Sequence, residues 1–136
     1  MFQKVLVPIA LDHKNAYHHQ IQVAKKLRDA GASITLLHVV EEIPGWIMAQ
    51  IPAGISDSAH TSARQTLLEI AEESGPDVLT EVVVGHAGRT IVEYAESREI
   101  DCIVLASHRP ELVDYLLGST AAAVSRHAKC SVVILR

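Results

Sequence analysis

Aromatic side chains are scarce in this chain of 136 residues: one Phe, one Trp and three Tyr, 4% in all, against 49% hydrophobic residues. A core must therefore be built from Val, Ile, Leu and Ala, a composition that suits parallel strands covered by helices. Cysteine is scarcer still. Cys102 and Cys130 show no C-x-x-C spacing and are too few for a disulfide framework, so they read as inert core thiols in a reducing cytoplasm. No apolar run approaches the roughly 20 residues of a membrane span, and none at the start resembles a signal peptide. Neither charge sign dominates: a net charge of −4 offers no general attraction for nucleic acid or anionic lipid. Neither G-x-x-x-x-G-K-[ST] nor G-x-G-x-x-G occurs. The length fits one domain over residues 1–136.

What is present is an alternation of five short β-rich runs with four helical patterns. Lys4–Pro8 reads as the first strand, ended by a proline that has no N–H for the ladder. Ala16 to Ala30 reads as a helix with Ile21, Ala24 and Leu27 on one face, stopped by Gly31. Ser33–Val40 is the second strand, a helix runs from Ser56 or Asp57 to Ser74, and Val78–Val84 is the third strand. Ala87–Arg98 is helical, Asp101–Ala106 the fourth strand, Gly118–His127 the fourth helix and Ser131–Leu135 the fifth strand. Strand–helix alternation of this kind means right-handed crossovers and a parallel sheet. Glu41 to Gly54 reads as a loop with unusually apolar contents, Trp46, Ile47, Met48 and Ile51 among them, either a flap over a pocket or a patch that meets another protein.

The segment with most chemical content is Ile103-Val104-Leu105-Ala106-Ser107-His108-Arg109-Pro110, followed by Leu116-Leu117-Gly118-Ser119-Thr120. A strand, a loop and a Gly-Ser-Thr helix start form a phosphate site, because unpaired N–H groups and the helix dipole both favour an anion there. Pro110 bars helix at Arg109, so the loop leaves the strand end open. In an open α/β sheet the ligand lies beyond the carboxyl ends of the strands, where strand order reverses. A pocket between the first and fourth strands would have an apolar side from Ile9, Val39 and Leu105. Its polar side would come from Ser107, His108, Arg109 and the amides of Gly118, Ser119 and Thr120. The competing reading of Gly118-Ser119-Thr120 is a plain helix cap. His13, His18 and His19 have no carboxylate or Cys at ligand spacing and read as solvent-exposed, and His108 has no evident nucleophile to serve as a base.

The residues resemble the universal stress protein family along essentially the whole chain. Lys4-Val5-Leu6-Val7-Pro8-Ile9 resembles its first strand, and Leu36-Leu37-His38-Val39-Val40 its second. Ile103 to Thr120, then Arg126 to Arg136, resemble its C-terminal signature. The family's ATP-binding branch carries Gly, two residues, Gly, nine residues, Gly and Ser or Thr. Here Ala106 and Arg109 stand at the first two glycines, Pro110 follows, and eight residues precede Gly118-Ser119. This variant resembles the UspF-like subgroup, in which nucleotide binding is expected. Arg109 closes a spot where glycine admits phosphate to the backbone, yet its guanidinium can pair with phosphate directly. The acidic residue usual two positions past the first strand's proline is replaced by Ala10, with Asp12 nearby.

The resemblance implies a single-domain α/β fold, Rossmann-like, with an open twisted five-stranded parallel sheet in the order 3-2-1-4-5 and helices on both faces. It implies an ATP-binding, nucleotide-dependent regulatory or interaction module of the cytoplasm. Pro8, Ile9, Ala10, Asp12, Val39 and Leu105 would surround the adenine and ribose. Ala106, Ser107, His108, Arg109, Pro110, Gly118, Ser119 and Thr120 would hold the phosphates, with Mg²⁺ carried by the nucleotide. AMP or another adenine nucleotide is the variant of that reading. A homodimer through the Ser131–Leu135 edge strand is also implied, since a bare apolar edge seeks a partner. The alternatives are a member that binds no nucleotide and acts through protein contacts alone, or a very slow ATPase or self-phosphorylating protein.

Overall fold

The chain enters the sheet almost at once, in β1 (Phe2–Pro8), whose alternation sends Val5 and Val7 to one face and Leu6 to the other. The computed structural model describes residues 1–11, 16–52, 54–107 and 117–136. The elements that follow are α1 (Ala16–Leu27), β2 (Arg28–Glu41), α2 (Gly45–Met48), α3 (Ile55–Ser74), β3 (Val78–Gly85), α4 (Ala87–Ser97), β4 (Cys102–Ala106), α5 (Ser119–His127) and β5 (Ser131–Leu135). All five strands are parallel, in the order β3-β2-β1-β4-β5. The core lies in two layers. Val5, Val7, Ile34 and Leu36 pack with Ile21, Ala24, Leu67 and Ile70 of α1 and α3, while Leu6, Leu37, Ile103 and Leu105 pack with Ile91, Ala95, Ala121 and Val124 of α4 and α5.

Two local expectations are corrected. The first helix ends at Leu27 rather than Ala30, and Gly31 stops no helix. Arg28 already pairs with Phe2 of β1, and the register then shifts so that Lys4 faces Ser33. Gly31, at φ +79°, lies in the surplus of residues that β2 carries over this stretch, a conformation that costs glycine little. Arg28 is tied to the Asp77 carboxylate at 3.0 Å and to the Ala32 carbonyl at 3.2 Å instead of facing outward from a helix. In the 41–54 loop, Gly45–Met48 forms one helical turn, because Pro44 presents its carbonyl to the N–H groups of Ile47 and Met48. Trp46 on that turn is 71% exposed.

The join between β1 and β4 is short. These strands pair only through Val5 with Cys102 and Leu6 with Ile103. Below that pair the join is stitched by Asp101, whose N–H donates to the Lys4 carbonyl at 3.1 Å and whose carboxylate accepts from the N–H groups of Gln3 (2.8 Å) and Lys4 (3.0 Å). Above it the strands part. On the α4–α5 side, a Cβ on Gly88 would sit 2.8 Å from the Cβ of Ala123, so the two helices approach more closely than any other residue would allow.

Candidate functional site

Where β1 and β4 diverge, a cleft of about 450 Å³ opens at the carboxyl ends of β1, β2 and β4, within the usual range for small-molecule sites. Its apolar lining comes from Ile9, Leu37, Val39 and Leu105, with Ile91 from α4. Pro8, Ala10, Ala106 and Thr120 complete the wall on the β1, β4 and α5 sides. The exit from β1 is held rigidly: the Ile9 N–H donates to the Leu37 carbonyl, and the Ile9 carbonyl accepts from His38 Nδ1, both at 2.8 Å. A carbonyl cannot donate, so Nδ1 is the donor in this bond.

Two helices present their N-termini near this cleft, and they are treated differently. At α4, Ala87 lines the cleft and its N–H points at the Glu41 carboxylate, 3.4 Å away; the other Glu41 oxygen lies 3.7 Å from His86 Nδ1. At α5, the N-cap residue is Gly118, which has no side chain to cap the helix. The first intrahelical bond runs from Ala122 N–H to the Gly118 carbonyl, which leaves the N–H groups of Ser119, Thr120 and Ala121 without a helical acceptor. The Gly118 N–H itself donates to the Ser107 carbonyl at 2.9 Å, so it is not one of the free amides the sequence suggested. The amide end of the cleft therefore suits an anion and the β2 end does not.

Of the residues expected at the site, Pro8, Ile9, Ala10, Val39, Leu105, Ala106 and Thr120 are brought together on the cleft wall. Gly118 and Ser119 stand at the start of α5 next to Thr120. Ser107 is buried at 3% exposure, its N–H bonded to the Leu135 carbonyl at 2.8 Å, so its backbone joins the tip of β4 to both β5 and α5. Asp12, His108, Arg109 and Pro110 lie outside the described residues. His18 and His19 are exposed, as expected, and His13 lies outside the described residues. Among the described residues no group of three or more His, Cys, Asp or Glu side chains could hold a metal ion.

Sequence reasoning missed Gln20, His38, Glu41, Ala87 and Ile91 on the wall. Gln20 had a readable signal: with Tyr17, Ile21, Ala24 and Leu27 it shares the inward face of α1, where a polar residue is out of place. It is 3% exposed, and its Nε2 donates to the carbonyls of Pro8 (2.8 Å) and Val104 (3.2 Å), across the gap between β1 and β4. A second groove, of about 960 Å³, runs along the starts of β2 and β3 beside Tyr94 and Arg98. It faces the C-terminal ends of α3 and α4, whose dipoles repel anions, and its acidic Glu72 and Glu81 offset the basic Lys4 and Arg98. It is the poorer site for a phosphate.

The universal stress protein family model matches residues 1–136. Universal stress protein A homolog 2 of Coxiella burnetii is 33% identical, the match covering 99% of this chain and 95% of that protein. Among solved structures, universal stress protein UspA from Lactobacillus plantarum is 27% identical, with a TM-score of 0.70 and coverage of 99% and 98%. The hypothetical protein MJ0577 has the same fold, with a TM-score of 0.81 at 24% identity, covering 99% and 96%. Two further neighbours of that fold, at 20% and 16% identity, were solved with cAMP and with dAMP, the latter from Archaeoglobus fulgidus.

Proposed function

We propose, for a chain that belongs to the universal stress protein family, that the cleft binds an adenine nucleotide and that the protein is a nucleotide-dependent regulatory or interaction module. The observation that carries this is the pairing, in one cleft, of flat apolar walls from Ile9, Val39 and Leu105 with an uncapped N-terminus of α5. The walls suit a base and the free amides suit phosphate, so a ligand with both parts lies along the cleft in one direction. That relatives of the same fold hold cAMP and dAMP supports the adenine part. ATP is the ligand proposed, with AMP or another adenylate as the shorter variant, and it places the chain in the UspF-like nucleotide-binding branch. Mg²⁺ is proposed to arrive on the nucleotide's phosphates.

The protein is proposed to be no enzyme. His38 is the imidazole on the described wall, and its Nδ1 is committed to the Ile9 carbonyl. A homodimer through β5 belongs to the same reading: Ser131–Leu135 is an edge strand, and Val132 to Leu135 are only half-buried in the single chain. A cytoplasmic setting is part of it as well. The reading that favours protein contacts alone rests on Trp46 and Met48, both exposed on the 41–54 segment.

Isothermal titration of ATP and of GTP into protein stripped of endogenous ligand tests the proposal. Micromolar or tighter binding of ATP is expected, with GTP weaker. Undetectable ATP binding by folded protein overturns it, and sustained phosphate release would replace the module by an enzyme.

A further inference from the structure

Gln20 lines the cleft where it bridges β1 and β4, and its partners orient its side-chain amide. The Pro8 and Val104 carbonyls can only accept, so the group facing them at 2.8 and 3.2 Å is the NH₂, and both its hydrogens are committed. The amide oxygen, Oε1, is the remaining polar atom. Among the described residues it accepts no hydrogen bond, although the residue is 3% exposed and lines the cleft. No side-chain polar atom sealed from solvent lacks a partner among the described residues. Oε1 is therefore not sealed: it opens on the cleft, an acceptor held in place by a side chain that cannot turn.

Its position says what it meets. The base end of the cleft lies over Val39 and Ile9, and the phosphate end over Thr120 and the start of α5. Gln20 stands between them, astride the tips of β1 and β4. The part of a nucleotide between base and phosphate is the sugar, and the sugar's donors are its hydroxyls. Ala10, on the same wall, has no polar side chain to compete for them. We infer that Gln20 Oε1 accepts a hydrogen bond from a ribose hydroxyl, so that the cleft selects ribonucleotides over nucleotides lacking both hydroxyls. The inference rests on the nucleotide reading of the cleft and adds to it a residue and a sugar preference.

A ligand that covers Oε1 without donating to it leaves a buried acceptor unpaired, which costs more than the bond itself contributes. The test is titration of ATP and of 2′,3′-dideoxyATP into the wild-type protein, then into Gln20→Met and Gln20→Lys. ATP is expected to bind the wild type about tenfold more tightly than the dideoxy analogue. In Gln20→Met, which matches the length but has no acceptor, the two are expected to bind alike. Gln20→Lys keeps donors for the Pro8 and Val104 carbonyls, and reads the same ratio if loss of those bonds prevents the Met variant from folding. Equal binding of both nucleotides to the wild type overturns this inference and leaves the nucleotide site standing. A tenfold preference that survives in the variants removes Gln20 from the role. Binding of neither nucleotide by the wild type overturns both readings.

Discussion

The two ends of the join between β1 and β4 meet the same problem with opposite results. At the amino end, Asp101 uses its N–H and both carboxylate oxygens on Gln3 and Lys4, and nothing is left over. At the carboxyl end, Gln20 bridges the strands with both hydrogens of its amide, and its oxygen has no partner among the described residues. The α5 amides at that end follow a glycine N-cap, which has no side chain to cap them. The cleft is thus made by hydrogen bonds left unmade, not by an added catalytic group. Polar residues at a strand end have to be read by which of their atoms remain free.

Gly118→Asp sets a carboxylate at the α5 N-terminus, as Glu41 is set at α4. ATP affinity is expected to fall about 100-fold, read by titration, because a fixed anion occupies the phosphate's place. The thermal midpoint is expected to hold or rise, since Asp is a favoured N-cap. A variant that binds ATP normally would end the contrast between the two helix starts. Asp101→Ala probes the other end. Chemical denaturation is expected to show a loss of about 2 kcal/mol, the size of hydrogen bonds to a charged group, with ATP affinity within about twofold of wild type. A large loss of affinity in a well-folded Asp101→Ala protein would mean the ends are not independent.

A smaller effect sharpens the middle of the join, where Cys102 pairs with Val5. Burial pushes the Cys102 thiol from its ordinary 9.0 up to about 11, with smaller contributions from Cys130 and Asp101. The unfolded chain loses that proton first as pH rises, so the native state holds more protons between about pH 9 and pH 11 and stability falls across this window. Denaturation midpoints in Cys102→Val are expected to decline less steeply there than in wild type.

The strands and their parallel pairing were legible because apolar runs are bounded by Pro8, Gly75-Pro76 and Gly85 and joined by crossovers of a dozen residues, whereas their order came only from the family resemblance. The span 28–31 was not legible. Arg28, Asp29 and Ala30 continue a helical pattern, and only distant pairing with Phe2 turns them into strand. On the cleft wall, Ile9, Val39 and Leu105 followed from their places at strand ends. Glu41 could not be found this way, since its role comes from the meeting of β2 with the start of α4, 46 residues later. Gln20 was visible as a polar residue on an apolar face, but a sequence does not say which of its atoms are taken.

Counting pairings, the sheet is two leaves, β3-β2-β1 and β4-β5, sewn along a margin only two residues long. A tilt of one leaf against the other strains fewer ladder bonds than any other bend of the sheet. Whatever lodges between the tips wedges against both leaves at the free end of that margin, and so makes a two-part object mechanically one.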